Sequence, residues 1–182
     1  MKAVLFSIKP KYCELIASSK KTVEVRKTRP KIDVPFKGYI YCTKDFYRAG
    51  DGYFQGKYCG KVIGEFVCKA ILPISITYSD QNSKIALREF PFTCLTDKEI
   101  MDYLGNGKTG YGFHISDLVI YNKPKELGEF YTDSCINFRE GGCVSPTNNC
   151  VYQFHNSQGD IQPCITKLKR PPQSYCYVEE LV

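Results

Sequence analysis

The chain has 182 residues, of which 43% are hydrophobic and 14% aromatic, with no tryptophan. This length and apolar content suit one ordinary domain with an appendage, and they exclude a disordered chain, a coiled coil and a repeat array. The formal net charge of +6 is uneven, because residues 1–70 carry 15 Lys and Arg against 6 Asp and Glu, whereas the remainder carries 10 against 13. A basic segment rich in aromatic residues can attract phosphate and stack bases, or it can be a solvated lysine-rich surface.

The ten cysteines are too sparse for a small secreted fold stapled by disulfides. The first ten residues have too short an apolar run for a signal peptide, and no stretch is long and apolar enough to span a membrane. We therefore expect a protein of the reducing cytoplasm that has no membrane partner.

Hydrophobic periodicity predicts several short strands interrupted by short helices. In chain order, we predict a strand at 2–8, a helix at 11–18, strands at 22–27, 38–43 and 61–72, a helix at 96–104, a strand at 111–121, a helix at 124–130 and a strand at 174–181. The order lacks the regular alternation of a parallel α/β sheet. It favours an α+β domain built round a mixed, barrel-like sheet.

The helix at 96–104 has the clearest boundaries. Thr96 and Glu99 have the spacing of a capping box, and Leu95 and Ile100 have that of a hydrophobic staple. Gly105 then supplies a stop signal. The following segment, residues 105–110, has some likeness to a phosphate-binding loop, but it lacks the first glycine of that motif and precedes a predicted strand, so we predict a turn.

Residues 19–26, Ser-Lys-Lys-Thr-Val-Glu-Val-Arg, concentrate charge where the first helix meets the second strand. This octet resembles the signature Gly-x-Lys-x-x-Glu-x-Arg of the ASCH family, a branch of the PUA-like β-barrel superfamily. Lys21, Glu24 and Arg26 match the signature, and Ser19 stands in place of its glycine. Residues 60–66, 111–121, 124–130 and 169–181 resemble later segments of ASCH proteins from Gram-positive bacteria and their phages.

The resemblance implies a PUA-like mixed β-barrel with short flanking helices, formed by residues 1–131 and 170–182. Residues 132–169 would then be a Cys-rich loop inserted near the C-terminus. The implied function is binding of RNA or a modified nucleoside. His114 lies on a strand that follows the ligand groove in the resembled fold, where it is either a buried, hydrogen-bonded histidine or a group that stacks on a base or transfers a proton.

The chemistry of the octet can also be argued from its side chains. Glu24 can accept a hydrogen bond from a base edge, and Arg26 can bind phosphate through two N–H groups or hold Glu24 in place. Lys21 can act as a cation or, if desolvated, as a base or nucleophile. Strict strand alternation would place Lys21 and Glu24 on opposite faces, so a shared pocket requires Lys21 to lie in the turn before the strand. The alternative is an ion network that only ties the helix to the strand.

An enzymatic function is a second hypothesis. The octet is similar to that of small bacterial ASCH proteins that deacetylate acetylcytidine with a Lys, a Thr and a Glu. The Lys corresponds to Lys21, and Glu24 stands where those proteins have the Thr. Other family members are described as ribonucleases. An acylated-nucleoside amidohydrolase or a ribonuclease would have Lys21 and Glu24 as catalytic residues.

Residues 132–169 are rich in Gly, Pro, Asn, Ser and Gln and lack the apolar periodicity that would let them fold by burial. Cys135, Cys143, Cys150 and Cys164 could together hold a structural zinc ion, with His155 able to replace one of them. A disulfide-bonded loop and unlinked thiols remain alternatives. If this loop is the contact surface for a protein partner, the chain is an interaction module. The other six cysteines lie in predicted strands and helices and are expected to be core residues.

Overall fold

The computed structural model describes residues 2–44, 47–49, 52–54, 58–75, 77–78, 84–85, 92–132, 138–139, 142–143 and 166–181. The two α-helices are α1 (Pro10–Ala17) and α2 (Asp97–Leu104), and one 3-10 helix covers Leu127–Glu129. The strands are β1 (Lys2–Ile8), β2 (Val23–Arg26), β3 (Phe36–Cys42), β4 (Tyr47–Ala49), β5 (Gly52–Phe54), β6 (Val62–Ser75), β7 (Thr77–Tyr78), β8 (Lys84–Ile85), β9 (Thr109–Lys125), β10 (Tyr131–Thr132), β11 (Phe138–Arg139), β12 (Gly142–Cys143), β13 (Thr166–Lys167) and β14 (Tyr175–Glu179).

A six-stranded mixed sheet, in the order β14-β1-β3-β6-β9-β2, forms the body of the molecule. Only β1 and β3 run parallel; the other neighbours are antiparallel. The long strands β6 and β9 pair from Val62 opposite Lys125 to Ser75 opposite Thr109, and β2 adds to the first part of β9. The architecture is therefore the α+β class with a mixed sheet that the sequence predicts.

The sheet curls but does not close into a barrel within the described residues, since β2 and β14 are edge strands that do not pair with each other. Side chains and loops span the gap instead. The hydroxyl of Tyr177 on β14 accepts a hydrogen bond from the backbone N–H of Lys31 at 2.6 Å, and Thr28 Oγ1 lies 3.4 Å from the hydroxyl of Tyr175. The mixed sheet that the sequence predicts is therefore present, but the described strands do not form a closed barrel.

Strand β1 lies in the centre of the core and is buried on both faces, which explains its continuous apolar sequence. Phe6 packs with Phe66 and Phe113 on the face covered by α1, while Leu5 belongs to a second cluster with Phe130 on the other face. A third, smaller cluster joins Val25 of β2 to α2. Helix α2 is thereby fixed beside the edge strand that carries the charged octet.

The predicted helix at 124–130 is wrong. Strand β9 continues to Lys125, and only the short 3-10 helix Leu127–Glu129 follows. A proline suits the first position of a helix, but the pairing of Lys125 with Val62 of β6 keeps the chain extended through Pro124. Pro124 is tolerated in β9 because it lies at the end of the ladder.

The short ladder of β10 with β13 brings Thr132 opposite Thr166, at the two ends of the Cys-rich segment. The zinc prediction falls largely outside the described residues: Cys135, Cys150, Cys164 and His155 are not among them, and of Cys143 only the backbone, in β12, is described. Among the described side chains, no group of three or more His, Cys, Asp and Glu is arranged to hold a metal ion. Neither helix in the described part of the chain is long and apolar enough to cross a membrane.

Candidate functional site

The turn from α1 to β2 determines where Lys21 lies. The backbone N–H of Ser19 donates to the carbonyl of Ile16 at 2.8 Å, and that of Lys20 donates to Leu15 at 2.9 Å, which is the hydrogen-bond pattern of a Schellman motif. Ser19 has the left-handed conformation that this motif requires, with φ 57°. Lys21 consequently lies in the turn, before β2 begins, and its side chain reaches the same side as that of Glu24.

Lys21 is buried, with 1% of its surface exposed, yet its ammonium group has three oxygen neighbours. Nζ lies 2.8 Å from the carbonyl oxygen of Val23, 2.6 Å from that of Thr93 and 3.4 Å from Glu24 Oε2. An ammonium has three donors and no acceptor, so these oxygens satisfy all of them. The Tyr12 ring, whose centre lies 5.3 Å from Nζ, adds a cation–π contact.

Burial and charge act in opposite directions on this lysine. Burial lowers the pKa of Lys21 below its ordinary value, and Glu24 opposes the effect by stabilising the ammonium form. The pKa of Tyr12 is raised by its burial and by the carboxylates of Glu99 and Glu24. Both groups therefore lie in a partly desolvated environment that strengthens electrostatic interactions.

Glu24 and Arg26 are the other two charges of the octet, and they are 6% and 7% exposed. Arg26 Nη2 lies 3.0 Å from Glu24 Oε1 and donates to the backbone carbonyl of Ser7 at 2.6 Å. The Nε–H group of Arg26 is buried and has no acceptor among the described residues. A buried donor without an acceptor is costly, by about 1–3 kcal/mol, so this N–H group is a local cost within the ion-paired cluster.

All three charged side chains line one cavity of about 450 Å³, a volume typical of small-molecule sites. Its walls combine polar, charged and aromatic groups contributed by β1, α1, β2, α2 and the segment before β14. They are Ser7, Lys9, Tyr12, Lys21, Glu24, Val25, Arg26, Thr43, Leu95, Glu99, Asp102, Tyr103 and Gln173. Three cations and three carboxylates belong to this set, so the formal charge of the lining is balanced.

Helix α2 supplies one wall that the sequence analysis did not assign to a site. Its capping box is present, with Glu99 N–H donating to Thr96 Oγ1 at 3.2 Å and Thr96 N–H donating to the Glu99 carboxylate at 2.8 Å. Two backbone N–H groups of the octet, those of Thr22 and Val23, approach the carbonyl of Phe92 at 3.0 and 3.3 Å and hold the segment before the helix. This placement depends on contacts between distant segments, which sequence spacing does not reveal.

Tyr12 was also missed, because its spacing with Leu15 and Ile16 predicts only the buried face of a helix. It is partly buried at the core, and it also lines the cavity. The sequence carried one signal for this role, because Tyr12 lies about two helical turns before the charged octet.

His114 is not among the residues that line the cavity. It is exposed, and its Nδ1 lies 3.2 Å from Ser116 Oγ, so the interpretation as a buried histidine is wrong. The neighbouring Phe113 is buried in the core, and alternation along β9 turns His114 to the opposite face. The turn predicted at 105–110 is present at 105–108, with Gly105 and Gly107 at positive φ, and β9 already begins at Thr109.

Three crystal structures of an ASCH protein from Zymomonas mobilis resemble this chain. A structure of one point mutant has 23% identity and a TM-score of 0.50 over 70% of this chain and 77% of that chain. A structure without a named mutation has 21% identity and a TM-score of 0.50 over 69% and 73%. A second mutant has 19% identity and a TM-score of 0.55 over 98% and 89%.

This chain has the ASCH fold. The fold that residues 19–26 suggested is thus confirmed by structural similarity. No protein-family model and no curated protein sequence matches the chain. The resemblance to ASCH proteins of Gram-positive bacteria and their phages stays a prediction. Within the ASCH fold, the octet lies at the junction of α1 and β2 and forms one wall of the cavity.

Proposed function

We propose that the cavity binds one nucleoside unit, either a free modified nucleoside or an exposed base of an RNA strand. The observation that carries this proposal is the ion pair of Arg26 and Glu24 in the cavity wall, with Nη2 and Oε1 3.0 Å apart. A donor and an acceptor side by side match the edge of a nucleobase, which presents carbonyl or ring-nitrogen acceptors next to amino or imino donors. Arg26 would donate to the base, and Glu24 would accept from it.

The aromatic residues and the charge of the cavity support the same ligand class. Tyr12 and Tyr103 line the cavity, and proteins recognise unstacked bases by placing them against such rings. The balanced charge of the lining favours a neutral nucleoside over a small anion, whose charge would find no net positive potential there. Phosphates of a longer RNA would instead contact the basic exterior of residues 1–70.

A hydrolase acting on an acylated nucleoside is the second candidate, favoured by one specific observation. Lys21 and Glu24 form a buried pair at 3.4 Å, and burial lowers the pKa of Lys21, which is a step towards the neutral amine that a base or nucleophile requires. The three oxygen neighbours of Lys21 act against this, because each of them stabilises the ammonium form. We therefore favour the role of Lys21 as a cation that orients the carboxylate of Glu24 over its role as a base or nucleophile.

Calorimetric titration of the purified chain with a nucleoside panel that includes acetylcytidine tests the binding proposal. Arg26→Lys keeps a cation next to Glu24 but removes the planar set of guanidinium donors, so we expect its nucleoside affinity to fall about tenfold or more. Arg29→Lys is the matched control, because Arg29 is exposed and does not line the cavity; its affinity should equal that of the wild type.

The same samples, analysed for products after incubation, separate binding from turnover. Product from acetylcytidine that disappears in a folded Lys21→Met variant would replace the binding proposal with the hydrolase. Failure of the wild type to bind any nucleoside or short RNA, or an unchanged affinity in Arg26→Lys, would refute the binding proposal.

A further inference from the structure

Away from the octet, three cysteine thiols come together where β3 ends and β6 begins. Cys42 is the last residue of β3, Cys59 lies in the turn before β6, and their sulfur atoms are 3.8 Å apart. Cys13 reaches the same place from α1 and donates its thiol to the carbonyl of Ile8 at 3.5 Å. None of the six cysteines whose side chains are described is in a disulfide bond.

Backbone hydrogen bonds hold Cys42 and Cys59 as near neighbours. The N–H of Gly60 donates to the carbonyl of Cys42 at 2.8 Å, and the N–H of Cys42 donates to the carbonyl of Lys61 at 2.9 Å. A disulfide needs its sulfurs about 2.0 Å apart and its Cα atoms within about 7 Å. Because Cys42 is hydrogen-bonded to the two residues that follow Cys59, the two sulfurs are held 3.8 Å apart and must approach one another for the bond to form.

We infer that Cys42 and Cys59 are a modification site that forms a reversible disulfide on exposure to a peroxide. Cys59 is half-buried and is the more exposed thiol of the pair, so we assign the first reaction to it; Cys42 is buried and lines a small pocket. The sulfur of Cys59 attacks one peroxide oxygen, the O–O bond breaks, and a sulfenic acid and one water form. The sulfur of Cys42 then attacks the sulfenic sulfur, and the S–O bond breaks with release of a second water. Two thiols are oxidised as one peroxide is reduced to two waters.

Cys13 is the less suitable partner, although it is close. Cys13 and Cys42 each donate a thiol to a backbone carbonyl, at 3.5 Å to Ile8 and 3.8 Å to Thr43, but the pKa of Cys13 is raised well above the ordinary value by its hydrogen bond with Cys42 and by burial. The thiolate is the reactive form, so Cys13 is kept in its unreactive state.

The disulfide would close residues 43–58 at their base, directly beside the large cavity. Thr43 follows Cys42 in the chain, lines that cavity and donates its N–H to the carbonyl of Ile8 at 2.9 Å. Oxidation would therefore fix the backbone at the point where this segment meets the cavity wall.

Peptide mapping of the full chain after treatment with one equivalent of hydrogen peroxide tests the inference. Trypsin cleaves after Lys37, Lys44, Lys57 and Lys61, so the predicted product joins peptide 38–44 to peptide 58–61. We expect this linked pair to form in the wild type and to disappear on reduction. Cys176→Ser, which removes a half-buried thiol on β14, should still form it, and Cys59→Ser should not.

A second measurement follows the fold itself. Peroxide should raise the urea midpoint of the wild type and leave that of Cys59→Ser unchanged, because only the wild type gains a closed loop. Linkage of Cys42 mainly to Cys13, or persistence of both Cys42 and Cys59 as free thiols under peroxide, would overturn the inference.

Discussion

At the scale of single residues, Ser19 has an unfavourable backbone conformation. It occupies the left-handed position of the Schellman motif with φ 57°, where the ASCH signature has a glycine. A side chain in this conformation costs roughly 1 kcal/mol, which glycine does not incur. We predict that Ser19→Gly raises the free energy of unfolding by up to about 1 kcal/mol, measured as a higher urea midpoint at an unchanged slope.

The neighbouring Ser18 provides a matched control for that substitution. It has φ −88°, and its hydroxyl donates to the carbonyl of Glu14 at 2.9 Å. Ser18→Gly gains no relief of strain and loses this hydrogen bond, so it should destabilise the protein. A loss of stability in Ser19→Gly as large as that in Ser18→Gly would show that the turn is held by something other than its backbone conformation.

At the scale of elements, the capping box stabilises helix α2, and this helix forms one wall of the cavity. The pKa of Glu99 is lowered by hydrogen bonds from Thr96, the backbone N–H first, and by Lys11. A carboxyl group with a depressed folded pKa stabilises the fold above its unfolded pKa of 4.5, and it loses that contribution as the pH falls through the folded value.

We therefore predict that Glu99→Gln lowers stability at neutral pH and that its difference from the wild type shrinks as the pH drops below about 4.5. Thr96→Ala, which removes the other half of the box, should cost about 1 kcal/mol. Urea unfolding at a series of pH values measures both. A Glu99→Gln difference that stays constant down to pH 3 would mean that the carboxylate charge has no part in the cap.

Local patterns predicted most elements because their signals are local. Thr96 and Glu99 specify a helix start within four residues, and the apolar run after Lys2 specifies a buried strand wherever it pairs. The end of β9 was not predictable in this way. Pro124 suits a helix start, yet the pairing of Lys125 with Val62, sixty residues away in the chain, extends the strand through it.

At the scale of the whole molecule, the candidate site combines residues that are close in the sequence with residues that only the fold brings together. Lys21, Glu24 and Arg26 could be grouped from the sequence because eight residues carry them all. Thr93, which binds the Lys21 ammonium, and Tyr103 come from segments seventy or more residues away and meet the octet only after folding. The burial expected of His114 was wrong for a related reason: alternation separates the two faces of a strand, but it does not show which face packs on the core.

The distribution of charge over the folded molecule leads to a last prediction, which separates the cavity from the surface around it. The cavity lining is balanced in charge, whereas residues 1–70, with 15 Lys and Arg against 6 Asp and Glu, carry a net charge of +9 that exceeds the +6 of the whole chain. Lys27 is exposed, and its Nζ lies 5.2 Å from the centre of the Tyr103 ring at the cavity. It is thus placed to meet a phosphate of any strand whose base enters the cavity.

Binding of a neutral nucleoside should therefore depend little on salt, because no counterions are released, while binding of a short single-stranded RNA should weaken steeply. The logarithm of the RNA affinity should fall with the logarithm of salt concentration by about 0.7 for each phosphate contacted. Lys27→Ala should reduce that slope by about one contact and leave nucleoside affinity unchanged. Fluorescence anisotropy of labelled RNA, with calorimetry for the nucleoside, measures both slopes. Equal salt dependence for the two ligands would mean that the RNA phosphates make no contact with the basic surface and that Lys27 has no part in binding.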